Sequence, residues 1–335
     1  MSTLKNLFAF IALATFFISC GDDDEGGPVV TGESITYDLA SVADPAISGV
    51  AVFEELTDNT TSITITLQGT PAGGSHPAHI HMNTAVEGGD IAISLEPVNG
   101  DTGISTTIVS FDDDGTAVSY NDLLTYDGYI NVHLSANDLG TLVAQGDIGQ
   151  NDLTGDLKSY DLDERDVATI SGTITFEERV NGEALATIML MNTPDGGMHP
   201  AHIHMNSFVE GGGIAFTFNE VDGTTGMSKT NVAQLDDATS FGYADVLSYD
   251  GYVNVHLSAN ELGTIVAQGD IGANELTGES KVYDLNERDV AGISGTVTFE
   301  ERVSGEALAT ITLVNTPEGG MHPAHIHMNS FVEGG

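Results

Sequence analysis

This 335-residue sequence predicts an all-β protein made of tandem antiparallel sandwiches. Three observations carry the prediction. Apolar and polar residues alternate at the period of a half-buried strand, as in Ser62-Ile63-Thr64-Ile65-Thr66-Leu67-Gln68. Clusters of Gly, Asn and Asp such as Asn99-Gly100-Asp101 separate these runs, and the 40 glycines agree with many tight turns. The chain also repeats itself without a gap. YDLASVADPAISGVAVFEE at Tyr37 returns as YDLDERDVATISGTITFEE at Tyr160 and YDLNERDVAGISGTVTFEE at Tyr283. Each interval is 123 residues (160−37 and 283−160). That fits whole domains of about 100–150 residues rather than solenoid units of about 20–50.

From the N-terminus, residues 1–19 have the pattern of a lipoprotein signal peptide. Lys5 precedes a largely apolar run from Leu7 to Ile18, shorter than the roughly 20 residues a membrane span needs. Phe17-Ile18-Ser19-Cys20 resembles a bacterial lipobox, which implies lipidation of Cys20. Residues 20–33 read as an acidic flexible linker, similar to the tract behind the lipidated cysteine in surface lipoproteins of the Bacteroidetes. The repeats divide the remainder into domains 34–156, 157–279 and an incomplete 280–335. Glu87-Gly88-Gly89 recurs at Glu210 and at Glu333, where the third copy stops, so a longer natural chain is expected. Inside the domains, Ile91 to Leu95 and Ile214 to Phe218 alternate as equivalent strands. One helical turn is expected at Tyr120 to Tyr126, with Asn121 and Asp122 suited to its start.

All 11 histidines fall in two motifs. HPAHIHMN begins at His76, His199 and His322, and Y-[IV]-N-V-H occupies Tyr129 to His133 and Tyr252 to His256. In a strand, residues two apart share a face. His79 and His81 therefore project together while Ile80 enters the core, and Tyr129, Asn131 and His133 share a face opposite Ile130, Val132 and Leu134. Both sets are expected on the outer surface of the sandwich. If the two strands are neighbours, side chains about 5 Å apart across them can close on one ion. The candidate metal ligands are His79, His81 and His133, then His202, His204 and His256, then His325 and His327. His76, His199 and His322 are additional candidates. Alternation puts His76 on the other face, so it joins only if Gly73-Gly74-Ser75 curls over it. Asn131 and Asn254 are candidates to orient a ligand from behind. Imidazole donors favour copper or zinc, or Ni, over Ca or Mg.

With 50 acidic and 8 basic residues the formal charge is −42. Such a polyanion is repelled by nucleic acid and by anionic headgroups, which leaves the lipid anchor as its membrane contact. Asp112-Asp113-Asp114 lacks the alternating ligand spacing of a calcium loop and reads as a solvated turn. Cys20 is the only cysteine, so no intramolecular disulfide can form.

Ala78 to His81, Tyr129 to His133, and the following Asn137, Gly140 and Gln145 together resemble the CHRD family, the domain type repeated in chordin. The same pieces recur at Ala201 to His204, Tyr252 to His256, and Asn260, Gly263 and Gln268. The chain departs from the family in Met82-Asn83 after the H-I-H, and in Gly140 to Gln145, which lacks the arginine of the family's usual segment. The resemblance implies an immunoglobulin-like β-sandwich and no particular reaction. A weaker likeness is to copper/zinc superoxide dismutase, in which His79, His81 and His133 would match copper ligands. Against it stand the missing disulfide, the absence of a separate zinc-ligand set, and a surface charge that would repel superoxide. None of Arg165, Arg179, Arg288 and Arg302 lies in a histidine motif. The expected function is that of an exported lipoprotein at the outer membrane or cell surface. It would be a non-enzymatic module for an extracellular protein or glycan, with a metal site in each complete domain. The alternatives are a dismutase-like metalloenzyme and purely structural histidines.

Overall fold

The computed structural model describes residues 27–332. The signal-peptide and Cys20 lipidation expectations lie outside them. The first repeat comprises β1 (Val30–Ser41), β2 (Ser48–Leu56), β3 (Thr61–Gln68), β4 (Ser75–Met82), β5 (Ile91–Asn99), β6 (Ile104–Val109), α1 (Tyr120–Leu124), β7 (Asp127–Ser135) and β8 (Asp138–Gly149). All its pairings are antiparallel, in the order β1-β2-β3-β6-β5-β4-β7-β8. The all-β prediction holds, and the sandwich closes on itself: Ala40 and Ser41 of β1 pair with Gln145 and Ala144 of β8. Closure removes the open edges that would otherwise invite pairing with another chain.

Alternation explains which residues fill the barrel. Ile63, Ile65 and Leu67 of β3 point inward with Phe53, Ile80, Ile130 and Val132. Ile80 and Ile130, opposite each other on β4 and β7, have no exposed surface. Burying each side chain contributes about 1.5–3 kcal/mol. The helical turn occurs where expected but begins one step earlier than Asn121. Ser119 is its cap, and Ser119 and Asp122 bond each other's backbone in a capping box.

The second repeat follows the same course. Its elements are β9 (Leu153–Glu164), β10 (Ser171–Arg179), β11 (Ala184–Met191), β12 (Met198–His199), β13 (Ala201–Met205), β14 (Ile214–Thr217), β15 (Val221–Asp222), β16 (Met227–Val232), α2 (Tyr243–Val246), β17 (Asp250–His256) and β18 (Ile265–Gly272). Here Pro200, which has no N–H to give to a ladder, separates β12 from β13. The sheet therefore runs from β12 to β14 as one curled layer. Its two ends are halves of the same hairpin, because β12 pairs with β15 and β13 with β14. The third repeat contributes the antiparallel sheet β19 (Leu276–Leu285), β20 (Ser294–Arg302) and β21 (Ala307–Val314).

Candidate metal centre

The site is set by the pairing of β4 with β7. His79 stands opposite Asn131, His81 opposite Tyr129, and Ala78 opposite Val132. His133 lies one step beyond Val132 and completes the group. The Nδ1 or Nε2 donor atoms of His79, His81 and His133 lie within 4.8 Å of one another. The second repeat reproduces this with His202, His204 and His256. Ala201 pairs with Val255, His202 with Asn254 and His204 with Tyr252. These are the two groups of three or more such donors among the described residues.

The expected face is correct, but the rings are covered rather than open. His81 is 9% exposed, His133 6%, His202 8% and His256 5%. Backbone carbonyls bind the rings, that of Gly89 from a loop and that of Leu139 from the start of β8. His81 Nδ1 donates to the Gly89 carbonyl at 2.9 Å, and His133 Nδ1 to the Leu139 carbonyl at 2.7 Å. His204 and His256 repeat these bonds to Gly212 and Leu262, at 3.1 and 2.6 Å. A carbonyl can only accept, so each Nδ1 carries the proton and each Nε2 keeps its lone pair. Those Nε2 atoms are buried and have no hydrogen-bond partner in the protein. The third ring of each group uses its other nitrogen: Nδ1 of His79 and of His202 is the buried atom without a partner.

Tyr129 supports the first group from the side. Its ring stacks on His81 with centroids 5.1 Å apart and 20° between planes, and its hydroxyl accepts from Gly89 N–H. Burial raises the Tyr129 pKa against hydrogen bonds to Gly89 and Asn131. Asn131 also accepts from Gln145 Nε2 at 2.8 Å, as Asn254 does from Gln268 at 2.7 Å. Asn131 thus reaches His81 through Tyr129. Gly89 has a steric reason to be glycine, since a Cβ there would lie 2.0 Å from the Met82 carbonyl oxygen.

The electrostatics favour neutral imidazoles. Burial lowers the His79 pKa, neighbouring His133 and His81 lower it further, and Asp113 opposes them. Burial pushes His202 down to about 4, with His256 and His204 adding and Asp236 opposing. His133 and His256 are also lowered, mainly by burial, although their carbonyl bonds to Leu139 and Leu262 act the other way.

Asp113 lies exposed in a turn, as expected of its acidic run, and it also ties that turn to the strand beside the site. Its carboxylate accepts from the backbone and hydroxyl of Ser94, at 2.9 and 2.8 Å. Ser94 is the residue paired with His79 on β5. Asp236 accepts in the same way from Thr217, which pairs with His202. The repeat narrows the run to two acids: Asp112 becomes Leu235, whereas Asp113 and Asp114 recur as Asp236 and Asp237.

His76 and His199 lie outside the two groups. His76 is 1% exposed and alternates with inward-facing Ala78 and Ile80. Gly74 leaves it room, since a Cβ there would stand 2.6 Å from His76 Nε2. His199 Nδ1 approaches the His256 carbonyl at 3.2 Å, placing it behind the third ligand. In the third repeat His322, His325 and His327 are exposed, and the rings of His325 and His327 lie 6.1 Å apart. They belong to no three-donor group among the described residues.

No family model, no curated protein and no solved structure matches this chain.

Proposed function

We propose that this chain is an exported, lipid-anchored binding module of the CHRD type that holds one copper or zinc ion in each complete repeat. The observation that carries the metal reading is the paired occurrence of three converging donors. Each group has three buried nitrogens without partners, and each such orphan costs about 1–3 kcal/mol of lost solvation. Structural histidines would be expected to aim at least some of these lone pairs at hydrogen-bond donors. A metal ion with nitrogen bonds of about 2.0–2.1 Å would satisfy all three together. In the first repeat His81 and His133 would coordinate through Nε2 and His79 through Nδ1. In the second, His204 and His256 would use Nε2 and His202 Nδ1. The carbonyl-bound Nδ1–H groups would fix the tautomer and aim of their rings.

Asp113 and Asp236 would partly balance the added charge from beside His79 and His202. Such a centre serves sequestration, stiffening of the fold, or display of a metal to an extracellular protein or glycan. The test is metal analysis and calorimetry on the full chain at about pH 7.5. Two tightly held Cu(II) or Zn ions per chain are expected. Uptake no tighter than micromolar would leave the histidines structural. Superoxide turnover by the loaded chain above that of the free ion would replace binding with catalysis.

A further inference from the structure

Arg179 is the largest side chain in the molecule with almost no exposed surface, and it is buried between two repeats. It ends β10 of the second repeat. Its Nη1 bonds Asp147 Oδ2 of β8, in the first repeat, at 2.7 Å. The same nitrogen donates to the carbonyl of Asn151, and Nε donates to Asn231 at 2.8 Å. Around it two backbone bonds hold the strand end. Val180 N–H donates to the Asp152 carbonyl at 2.9 Å, and Asn181 N–H to the Gln150 carbonyl at 3.0 Å. The first continues the β9–β10 ladder, as Thr57 N–H to the Val29 carbonyl does in the first repeat, and the second crosses to the turn after β8.

The arrangement recurs one repeat later. Arg302 ends β20, bonds Asp270 at 3.0 Å and donates to the Asn274 carbonyl at 3.1 Å. Val303 and Ser304 N–H donate to the Glu275 and Ala273 carbonyls. The equivalent position in the first repeat is Leu56, which is 5% exposed. Of the three equivalent positions, the two that follow another repeat carry arginine and the first carries leucine.

We infer that Asp147 with the Asn151 carbonyl, and Asp270 with the Asn274 carbonyl, are docking sites for the arginine of the next repeat. The ligand of each site is a guanidinium presented at the end of a strand by a domain of this same type. The joints are therefore stiff and directional, with a head that donates and a tail that accepts. Each carboxylate is prepared for this role by the domain that owns it. Asp147 Oδ1 accepts from Ala85 N–H at 2.7 Å, which leaves Oδ2 for Arg179. Asp270 Oδ1 accepts from Phe208 N–H at 2.9 Å, with Oδ2 on Arg302. Removing the acid leaves a buried, unbalanced cation, and removing the arginine leaves the tail unsatisfied.

The experiment is hydrogen exchange by NMR on the full chain, comparing wild type with Arg179→Leu. Leucine is the natural residue at the equivalent position of the first repeat, so the second repeat is expected to accept it. Exchange at Asn181, whose bond crosses to Gln150, should rise about tenfold or more, the signature of a joint that opens locally. The Ile203 and Val253 amides, inside the second repeat, should not change, nor should Ser304 at the next joint. Unchanged exchange at Asn181 would overturn the proposal. If Ile203 and Val253 also lose protection, Asp147→Asn decides instead, because it leaves the second repeat's sequence intact. Faster exchange at Asn181 in that variant supports docking, and wild-type exchange there overturns it.

Discussion

In the closed barrel of the first repeat β4 runs unbroken through Pro77, whereas in the curled sheet of the second the same stretch is divided at Pro200 into β12 and β13. The inward residues beside it differ as well, with Ile93 and Leu95 replaced by Phe216 and Phe218. The histidine rings do not register these changes. His79 and His81 lie 5.9 Å apart at 87°, and so do His202 and His204. His79 and His133 lie 5.1 Å apart at 61°, against 5.0 Å and 61° for His202 and His256. The geometry therefore follows what the two repeats share, namely the register between the two ligand strands and the backbone carbonyls that hold the rings. The hairpin on the other side of the first ligand strand can break without moving the site.

The largest break in this equivalence is His81→Ala with His133→Ala. The variant should bind one ion per chain instead of two, by metal analysis, with the second barrel's affinity unchanged. Loss of both ions would show that the barrels are not independent. Gly89→Ala tests the loop carbonyls. The added Cβ forces the loop off Met82 and takes the acceptor from His81, so affinity at the first site should fall about 10–100-fold, a usual cost for an outer partner of a ligand. Gly212→Ala should do the same in the second barrel, where the Cβ would lie 2.0 Å from the Met205 carbonyl. Calorimetry that shows no change in either would assign the aim of the rings to the strands alone.

Acid sharpens the comparison in the metal-free chain. His202 falls from an unfolded value of 6.5 to about 4, so the folded form prefers the neutral ring. Its contribution is fully present above pH about 6.5 and is lost as pH falls toward 4, because the unfolded chain takes up the proton first. After allowance for solvent screening the loss is on the order of 2 kcal/mol. Urea melts of the second barrel should report it, with a His202 NMR midpoint near 4. A midpoint near 6.5 would mean that the ring is more solvated than its packing indicates. His79 shifts in the same direction.

The smallest expected difference is between His199→Ala and His76→Ala. His199 touches the backbone of His256, so its loss should weaken the second site several-fold. His76 has no such bond, and its loss should leave the first affinity nearly unchanged. Equal effects would show that both act alike behind the third ligand.

Much of this was legible in the sequence because strand alternation is a strong geometric rule. It puts Ile80 inside, His79 and His81 outside, and Tyr129, Asn131 and His133 together. It also separates His76 from the rest. What escaped is what alternation does not encode. The acceptors at Gly89 and Leu139 are backbone atoms, placed by the course of the chain rather than by side-chain type. Asp113 was hidden in an acidic run because its bond to Ser94 is set by the turn's conformation and not by side-chain type. Arg179 looked unimportant because it lies outside the histidine motifs, yet its burial depends on a neighbour 32 residues earlier. Contact across a domain boundary leaves no period in the sequence.

The leucine at position 56 also bears on how such a chain can change length. A repeat that carries an arginine head and an aspartate tail fits between any two others, because the joint it completes on one side is the joint it opens on the other. Inserting or deleting whole units of 123 residues would leave every remaining interface matched, with no compensating substitution. The first unit is the exception, since its head offers no guanidinium. The length of the array could thus be adjusted in steps of one repeat while the histidine groups kept a constant interval along it.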